Sequence, residues 1–320
     1  MRNDMAKHIP QTLLERAAEA YDLGAALRAP RPVEAFPAPA AAPAPESRPV
    51  QPVEPAAPVL RAPSPVEAPP ARQRAASAVA GIDHAALAEA GFIVPGGPVT
   101  GIAEEFRLIK HQLLHDIETA RHLPEERRRS ILVCAAQPRA GKTFCAINLA
   151  LSLAGEREVE VLLVDGDVLK PDSFALLGIE SGPGLVDALA DPSSDPESFV
   201  IRTDVPGLSV LQAGRKTNNV PELLASDRSR EVLAKLIAGN PRRIILFDSP
   251  PALMASHATV LAALVGRALV VVRADQTTEA DLRETIGLLR GCETSLILNG
   301  AGLAVTGRKF GAYDGYGHDD

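Results

Sequence analysis

The chain has 320 residues, 46% of them hydrophobic but only 3% aromatic, and a formal net charge of −7. That length holds one large domain or two small ones built on an aliphatic core. The acidic balance, without a dense Lys/Arg cluster, argues against nucleic acid as the main partner, because a phosphate backbone demands clustered cations.

From the N-terminus, residues 11–28 predict a short amphipathic helix with Leu13, Leu14, Ala17, Ala18 and Tyr21 on one side. Its polar face mixes acids and bases, which suits a small docking helix, or a helix with no function of its own, better than a membrane-surface one. Residues 29–74 then hold 14 of the 28 prolines. Proline fixes φ and removes donors, and there is almost nothing aromatic to bury, so an extended, disordered Pro/Ala-rich linker is expected over 29–80.

Residues 81–299 read as the folded domain. Six apolar strand candidates, 131–136, 159–164, 208–212, 243–247, 268–273 and 294–298, alternate with helical patterns such as Gly141–Ala154, Pro221–Ala238 and Thr278–Arg290. Near-continuous apolar strands suit burial on both faces. The alternation predicts an α/β fold, a mostly parallel sheet flanked by helices. In the helical stretch before the first strand, Ile102, Phe106, Ile109 and Leu113 form a core-facing stripe, with Glu104, Arg107 and Lys110 on a neighbouring face. The run Arg127-Arg128-Arg129 reads as a solvated helix end. Cys134, Cys145 and Cys292 have neither pairing nor metal-ligand spacing and read as buried free thiols of a reducing compartment. No apolar run approaches the roughly 18–20 residues that span a bilayer, and the N-terminus lacks a signal pattern, so a cytoplasmic protein is expected.

The first strand candidate runs into A-A-Q-P-R-A-G-K-T and then into a helix. Strand, loop and helix with Gly-Lys-Thr at the helix entrance is the arrangement in which backbone N–H groups hold phosphate oxygens. Lys142 would reach the β and γ phosphates, Thr143 would bring its hydroxyl to Mg²⁺, and Gly141 would allow the close backbone approach. Ala136 stands where the usual phosphate loop has its first glycine. Two further strands end in acids, V-L-L-V-D-G-D with Asp165 and Asp167, and R-I-I-L-F-D with Asp248. Each acid alone also reads as a strand-end turn or helix cap. Three of them at the carboxyl edge of a parallel sheet, beside a phosphate loop, predict a Mg²⁺–nucleotide site.

With these boxes in place, the chain resembles the bacterial tyrosine kinases of exopolysaccharide synthesis, and within them the exosortase-associated autokinase branch. The resemblance runs from Gly81 to the C-terminus. It includes I-A-E-E-F-R-L-I-K, the three nucleotide boxes in order, G-P-G-L-V-D-A-L, N-N-V-P-E-L-L-A-S and a tyrosine-bearing tail over 300–320. It implies a deviant-Walker phosphate-loop NTPase fold and ATP bound by Ala140, Gly141, Lys142, Thr143 and Phe144. Asp165 is implied as the base that takes the tyrosine proton. Thr143 and Asp167 would hold Mg²⁺ directly, with Asp248 acting through water. Asn299 matches an adenine-contacting position and equally reads as a strand-end turn residue. Glu104, Arg107 and Lys110 match an E-x-x-R-x-x-R oligomerisation motif, with lysine for the last arginine, that joins subunits of the family into a ring. After the Asp-x-Asp box the family's arginine is replaced here by Leu169-Lys170-Pro171.

Tyr313 and Tyr316 lie in the glycine-spaced tail, where no core could use their rings. From Asn299 the 14 residues to Tyr313 span at most about 45–50 Å, enough to reach a neighbouring subunit. The expectation is ATP-dependent autophosphorylation of these two tyrosines in trans. By resemblance, a membrane polysaccharide chain-length regulator serves as activator and holds the kinase at the inner membrane. Two other readings remain. A partition or septum-positioning ATPase would place a lysine where Gln137 stands. A regulatory nucleotide-switch subunit would bind ATP without transferring phosphate.

Overall fold

The alternation of side chains along the first strand explains its unbroken apolar run. In β1 (Ser130–Ala135), Ile131, Val133 and Ala135 pack into one core cluster, while Leu132 and Cys134 pack into a second on the opposite face. A strand covered on both sides has no polar face to keep. These coordinates are a computed structural model describing residues 79–168 and 174–301, all within the contact unit Val66–Asp320. The expected N-terminal helix, residues 29–78 of the linker, Leu169-Lys170-Pro171 and residues 302–320 of the tail lie outside the described residues, whereas Ala80, expected at the linker's end, bridges Thr203 and donates to the Arg202 carbonyl at 2.8 Å.

The remaining strands are β2 (Glu160–Asp165), β3 (Ile201–Arg202), β4 (Leu208–Leu211), β5 (Arg243–Asp248), β6 (Arg267–Arg273) and β7 (Glu293–Asn299). They form one seven-stranded sheet in the order β3-β4-β2-β5-β1-β6-β7. Every pairing is parallel except β3 with β4. The six strands expected from the sequence are present. The two-residue β3 was not expected, being too short to carry a period.

Nine helices are described: α1 (His84–Glu89), α2 (Gly101–Thr119), α3 (Glu125–Arg128), α4 (Lys142–Ala154), α5 (Leu185–Ala190), α6 (Val220–Ala225), α7 (Asp227–Ala238), α8 (His257–Leu264) and α9 (Glu279–Leu288). One face of the sheet is covered by α2 and α4, the other by α5 to α8. On α2, Phe106 and Leu113 are buried while Ile102 and Ile109 pack half-buried against the same core, as the stripe predicted. The single helix expected over 221–238 is two. Ser226 adopts extended backbone (φ −73°, ψ 160°), and its hydroxyl bonds the Leu223 carbonyl, so the chain restarts at Asp227.

Two expectations are corrected here. The arginine run is not solvated. Arg127 donates to the carbonyls of Val265 and Gly291, and Arg129 to that of Pro241, tying α3 to the loops before β5, β6 and β7. Lys110 does not share an exposed face with Glu104 and Arg107. It is buried and pairs at 2.6 Å with Glu156, just past the end of α4. Cys134 and Cys145 are buried and Cys292 half-buried, all free. Burial pushes their thiols up to about 12, 12 and 11, which leaves them un-ionised.

Candidate nucleotide site

The parallel register delivers the candidate residues to one edge. β1, β2 and β5 are adjacent, so their carboxyl ends lie side by side, and Asp165 is the direct register partner of Asp248. The loop 136–141 leaves β1, which lies on the other side of β5 from β2, and enters α4 at Lys142. Gly141 makes the turn with φ 94°, a left-handed conformation that L side chains rarely adopt. A Cβ there would collide with the side chain of Asn299. Arg139, at φ 63°, is the loop's second left-handed residue and carries a side chain. Left-handed residues in such a loop help to turn successive N–H groups inward as an anion cradle.

Around that cradle, Lys142 Nζ sits 3.2 Å from Asp167 Oδ2 and 3.9 Å from Asp248 Oδ1. Thr143 Oγ1 donates to Asp248 Oδ2 at 2.7 Å. The backbone N–H of Asp167 donates to Asp165 Oδ1 at 3.0 Å, closing the Asp-Gly-Asp turn on itself. All three acids are buried. Burial first, and then the neighbouring Asp248 carboxylate, push the Asp165 carboxyl up to about 8, against the opposing pull of the Asp167 N–H and the Lys142 ammonium.

The structure thus brings Lys142, Thr143, Asp165, Asp167 and Asp248 together, with Ala140 and Gly141 in the loop. The ring of Phe144 packs against that of Phe92 at a centroid distance of 4.9 Å, tilted by 43°. Asn299 is near, with its amide nitrogen donating to the Ala140 carbonyl at 2.9 Å. It therefore ties the end of β7 to the phosphate loop. Glu104 and Arg107 pair with one another at 2.5 Å on α2, while Lys110, one turn further on, is buried and pairs with Glu156. Tyr313 and Tyr316 lie outside the described residues.

Four contributors had no expectation attached. Gly166 brings its N–H to the Asp248 carbonyl at 2.7 Å, and a Cβ on it would meet that oxygen at 2.9 Å. A glycine between two acids was the available signal. Gln137 donates to Asp281 Oδ2 at 2.9 Å, joining the loop to the capping box of α9. Ser249 donates through its hydroxyl to the Val133 carbonyl at 3.1 Å, locking the end of β5 to β1. His257 opens α8 as a buried imidazole, held below its usual range by burial, with Asp167 and Glu222 pulling the other way.

Oxygen donors from a hydroxyl and carboxylates suit a hard cation such as Mg²⁺, which keeps waters and nucleotide phosphates as its other ligands. Among the described residues no three His, Cys, Asp or Glu side chains converge as a protein-only metal cage. The residues fit a cation that arrives with a nucleotide.

This architecture defines a phosphate-loop NTPase fold, a mostly parallel sheet with its anion cradle between the first strand and its helix. No family model matches the chain. The putative tyrosine-protein kinase EpsB of Ralstonia nicotianae is 36% identical over 162 residues, 50% of this chain and 21% of EpsB. The tyrosine-protein kinase YwqD of Bacillus subtilis is 27% identical over 194 residues, 61% of this chain and 78% of YwqD. Among solved structures, the BceF tyrosine kinase domain matches with a TM-score of 0.52 and 31% identity, covering 62% of this chain and 78% of that one. The chain belongs to the bacterial tyrosine kinase family. It spans about a fifth of the length of the first of these relatives. No described helix is long and apolar enough to cross a membrane.

Proposed function

We propose that this chain is an ATP-dependent protein-tyrosine autokinase that transfers the γ-phosphoryl group to Tyr313 and Tyr316, in trans between subunits. The observation that carries the reading is the ammonium of Lys142 held between Asp167 and Asp248, with the Thr143 hydroxyl on Asp248. That is a charge arrangement prepared for phosphates. The relatives' names as tyrosine-protein kinases support tyrosine as the acceptor.

In the proposed reaction the phenol oxygen forms a bond to the γ-phosphorus, the bond from that phosphorus to the bridging oxygen of ADP breaks, and the phenol proton passes to Asp165. Lys142 and the loop amides around Gly141 hold the phosphates and neutralise charge as it shifts toward ADP. Mg²⁺, held by Thr143 and Asp167 with Asp248 acting through water, would supply further neutralisation and draw Asp165 toward its ionised form. Asp165 is anchored by the Asp167 N–H, so its carboxylate needs little reorganisation to receive a proton. Asn299 holds the loop in place, and it is the proposed neighbour of the adenine ring.

The remaining parts follow the family's organisation. Residues 81–299 are the kinase domain, 300–320 the acceptor tail, 29–80 a linker and 1–28 a docking helix. Glu104 and Arg107, on the exposed part of α2, mark the side that meets a neighbouring subunit in a ring, while Lys110 supports that helix from within. The protein acts in the cytoplasm on exopolysaccharide synthesis or export, in the exosortase-associated branch, held at the inner membrane by a chain-length regulator. The test is mass spectrometry of the purified chain after Mg²⁺–ATP treatment. Phosphate on Tyr313 or Tyr316 in the wild type, absent from Lys142→Met, is the expected result. Tight ATP binding with no phosphotyrosine, even with the regulator's cytosolic segment added, would instead establish a nucleotide switch.

A further inference from the structure

Of the described residues that carry a Cβ, only Arg139 has a positive φ, at 63°. Left-handed backbone crowds a Cβ against the following carbonyl oxygen, and glycine would take the same φ without that cost. The flanking contacts impose the conformation. On one side, the Leu253 N–H donates to the Ala136 carbonyl at 3.3 Å, and the Gln137 amide donates to Asp281 Oδ2 at 2.9 Å. Pro138 then fixes its own φ. On the other side, the Asn299 amide holds the Ala140 carbonyl at 2.9 Å, and Ala140 is buried. The loop is clamped around a residue that glycine would suit better. Backbone held in this way by its surroundings clusters at ligand clamps and active sites.

The side chain itself is uncommitted. It is exposed, and among the described residues its guanidinium makes no hydrogen bond or ion pair. The charge around it is unbalanced. Asp165, Asp167 and Asp248 gather about a single ammonium, that of Lys142, so the site holds more acid than base before any phosphate arrives. A Mg²⁺-bound triphosphate adds further negative charge, which phosphoryl transfer needs neutralised. Gln137 is uncharged and already engaged with Asp281. Arg139 precedes Lys142 by three residues, so their Cα atoms are at most about 10–11 Å apart. That is close enough for both long cationic side chains to meet one polyphosphate.

We propose that Arg139 is a second cationic arm of the cradle, whose guanidinium binds the phosphates of a nucleoside triphosphate from the solvent side of the loop. This role rests on the nucleotide-site reading and requires no phosphoryl transfer. Paired guanidinium donors match two phosphate oxygens at once, and such charge-assisted bonds are the stronger kind. The arginine thus occupies a glycine-favoured position for a contact that forms only when the nucleotide is bound.

Calorimetric titration of the full-length protein tests it, with ATP and inorganic tripolyphosphate, each with Mg²⁺, as separate ligands. Arg139→Gln keeps the Cβ and removes the charge. Arg139→Gly removes the charge and relaxes the backbone. Both variants should bind each ligand about fivefold or more weakly than the wild type, and the deficit should shrink as salt rises from about 50 to 500 mM and screens the charge. Without ligand, Arg139→Gly should melt at or above the wild-type temperature, so its weaker binding is not a failure to fold. Wild-type affinity in both variants overturns the proposal and leaves Arg139 a solvated side chain. A deficit for ATP but not for tripolyphosphate overturns it too and moves the contact to the base or ribose. A wild type that binds neither ligand removes the nucleotide site and this role with it. The readout is binding, so a missing phosphotyrosine refutes the kinase reading alone.

Discussion

The Thr143 hydroxyl donates to Asp248 Oδ2 at 2.7 Å, joining the first residues of α4 to the end of β5 across 105 positions of sequence. One bond thereby couples the phosphate cradle to the acid proposed to act on the cation. Thr143→Val keeps the shape and deletes the donor. The stimulation of ATP binding by Mg²⁺ should fall at least tenfold, while Mg²⁺-free ADP binding changes little. Losing a donor to a buried carboxylate should also lower folding stability by about 1–3 kcal/mol. Calorimetric titration with and without Mg²⁺, and thermal unfolding, measure the two effects.

Asp165 offers a pH signature in the nucleotide-free protein. Its carboxyl is pushed up to about 8 from 3.8 by burial and by Asp248. A group whose pKa is raised in the folded state favours folding most below its unfolded pKa, and that contribution is lost as pH rises toward the folded value. Asp165→Asn keeps an oxygen for the Asp167 N–H and cannot ionise. Its melting temperature should exceed that of the wild type by a margin that widens from pH 5 to pH 8 and levels off above. The slope can reach at most about 1.4 kcal/mol per pH unit. A margin that narrows over that range would refute the assignment.

Lys110 separates an internal role from an interface role. Its ammonium is buried against the part-exposed Glu156, so Lys110→Met removes the partner that holds this carboxylate below its usual range while water still reaches it. A loss of about 0.5–1 kcal/mol is expected on denaturant unfolding, with the oligomer distribution in sedimentation unchanged. Arg107→Ala, on the exposed part of α2, should do the reverse, costing under about 0.5 kcal/mol of stability. If Lys110→Met disperses an assembly without destabilising the monomer, the internal reading is wrong.

Asn299 carries two readings that nucleotide choice divides. Its amide holds the Ala140 carbonyl at 2.9 Å. If it also meets the base, Asn299→Ala should lower the ATP-over-GTP preference as well as overall affinity. If it is only a tether, ATP and GTP should weaken equally, by about fivefold to tenfold for one lost hydrogen bond. Competition binding with both nucleotides decides it.

The phosphate loop and the three acids were legible because each belongs to one contiguous stretch. Gly141-Lys142-Thr143 follows an apolar run into a helix, and Asp165, Asp167 and Asp248 end apolar runs of their own. The six longer strands were legible for the same local reason, since a strand covered on both faces must be apolar throughout. What no local pattern contains is which strands are neighbours. Only the order β2-β5-β1 sets Asp165 beside Asp248 and brings both to Lys142. Lys110 shows the same limit. Its three-residue spacing from Glu104 and Arg107 suggested one shared face, yet its partner Glu156 lies 46 positions away, and burial follows the packing of α2 on α4. Asn299 is another case, a strand-end residue by sequence that becomes a loop tether once β7 stands two strands from β1. Side-chain chemistry and local period are written residue by residue. Pairing and burial depend on long-range register, and no single segment encodes that.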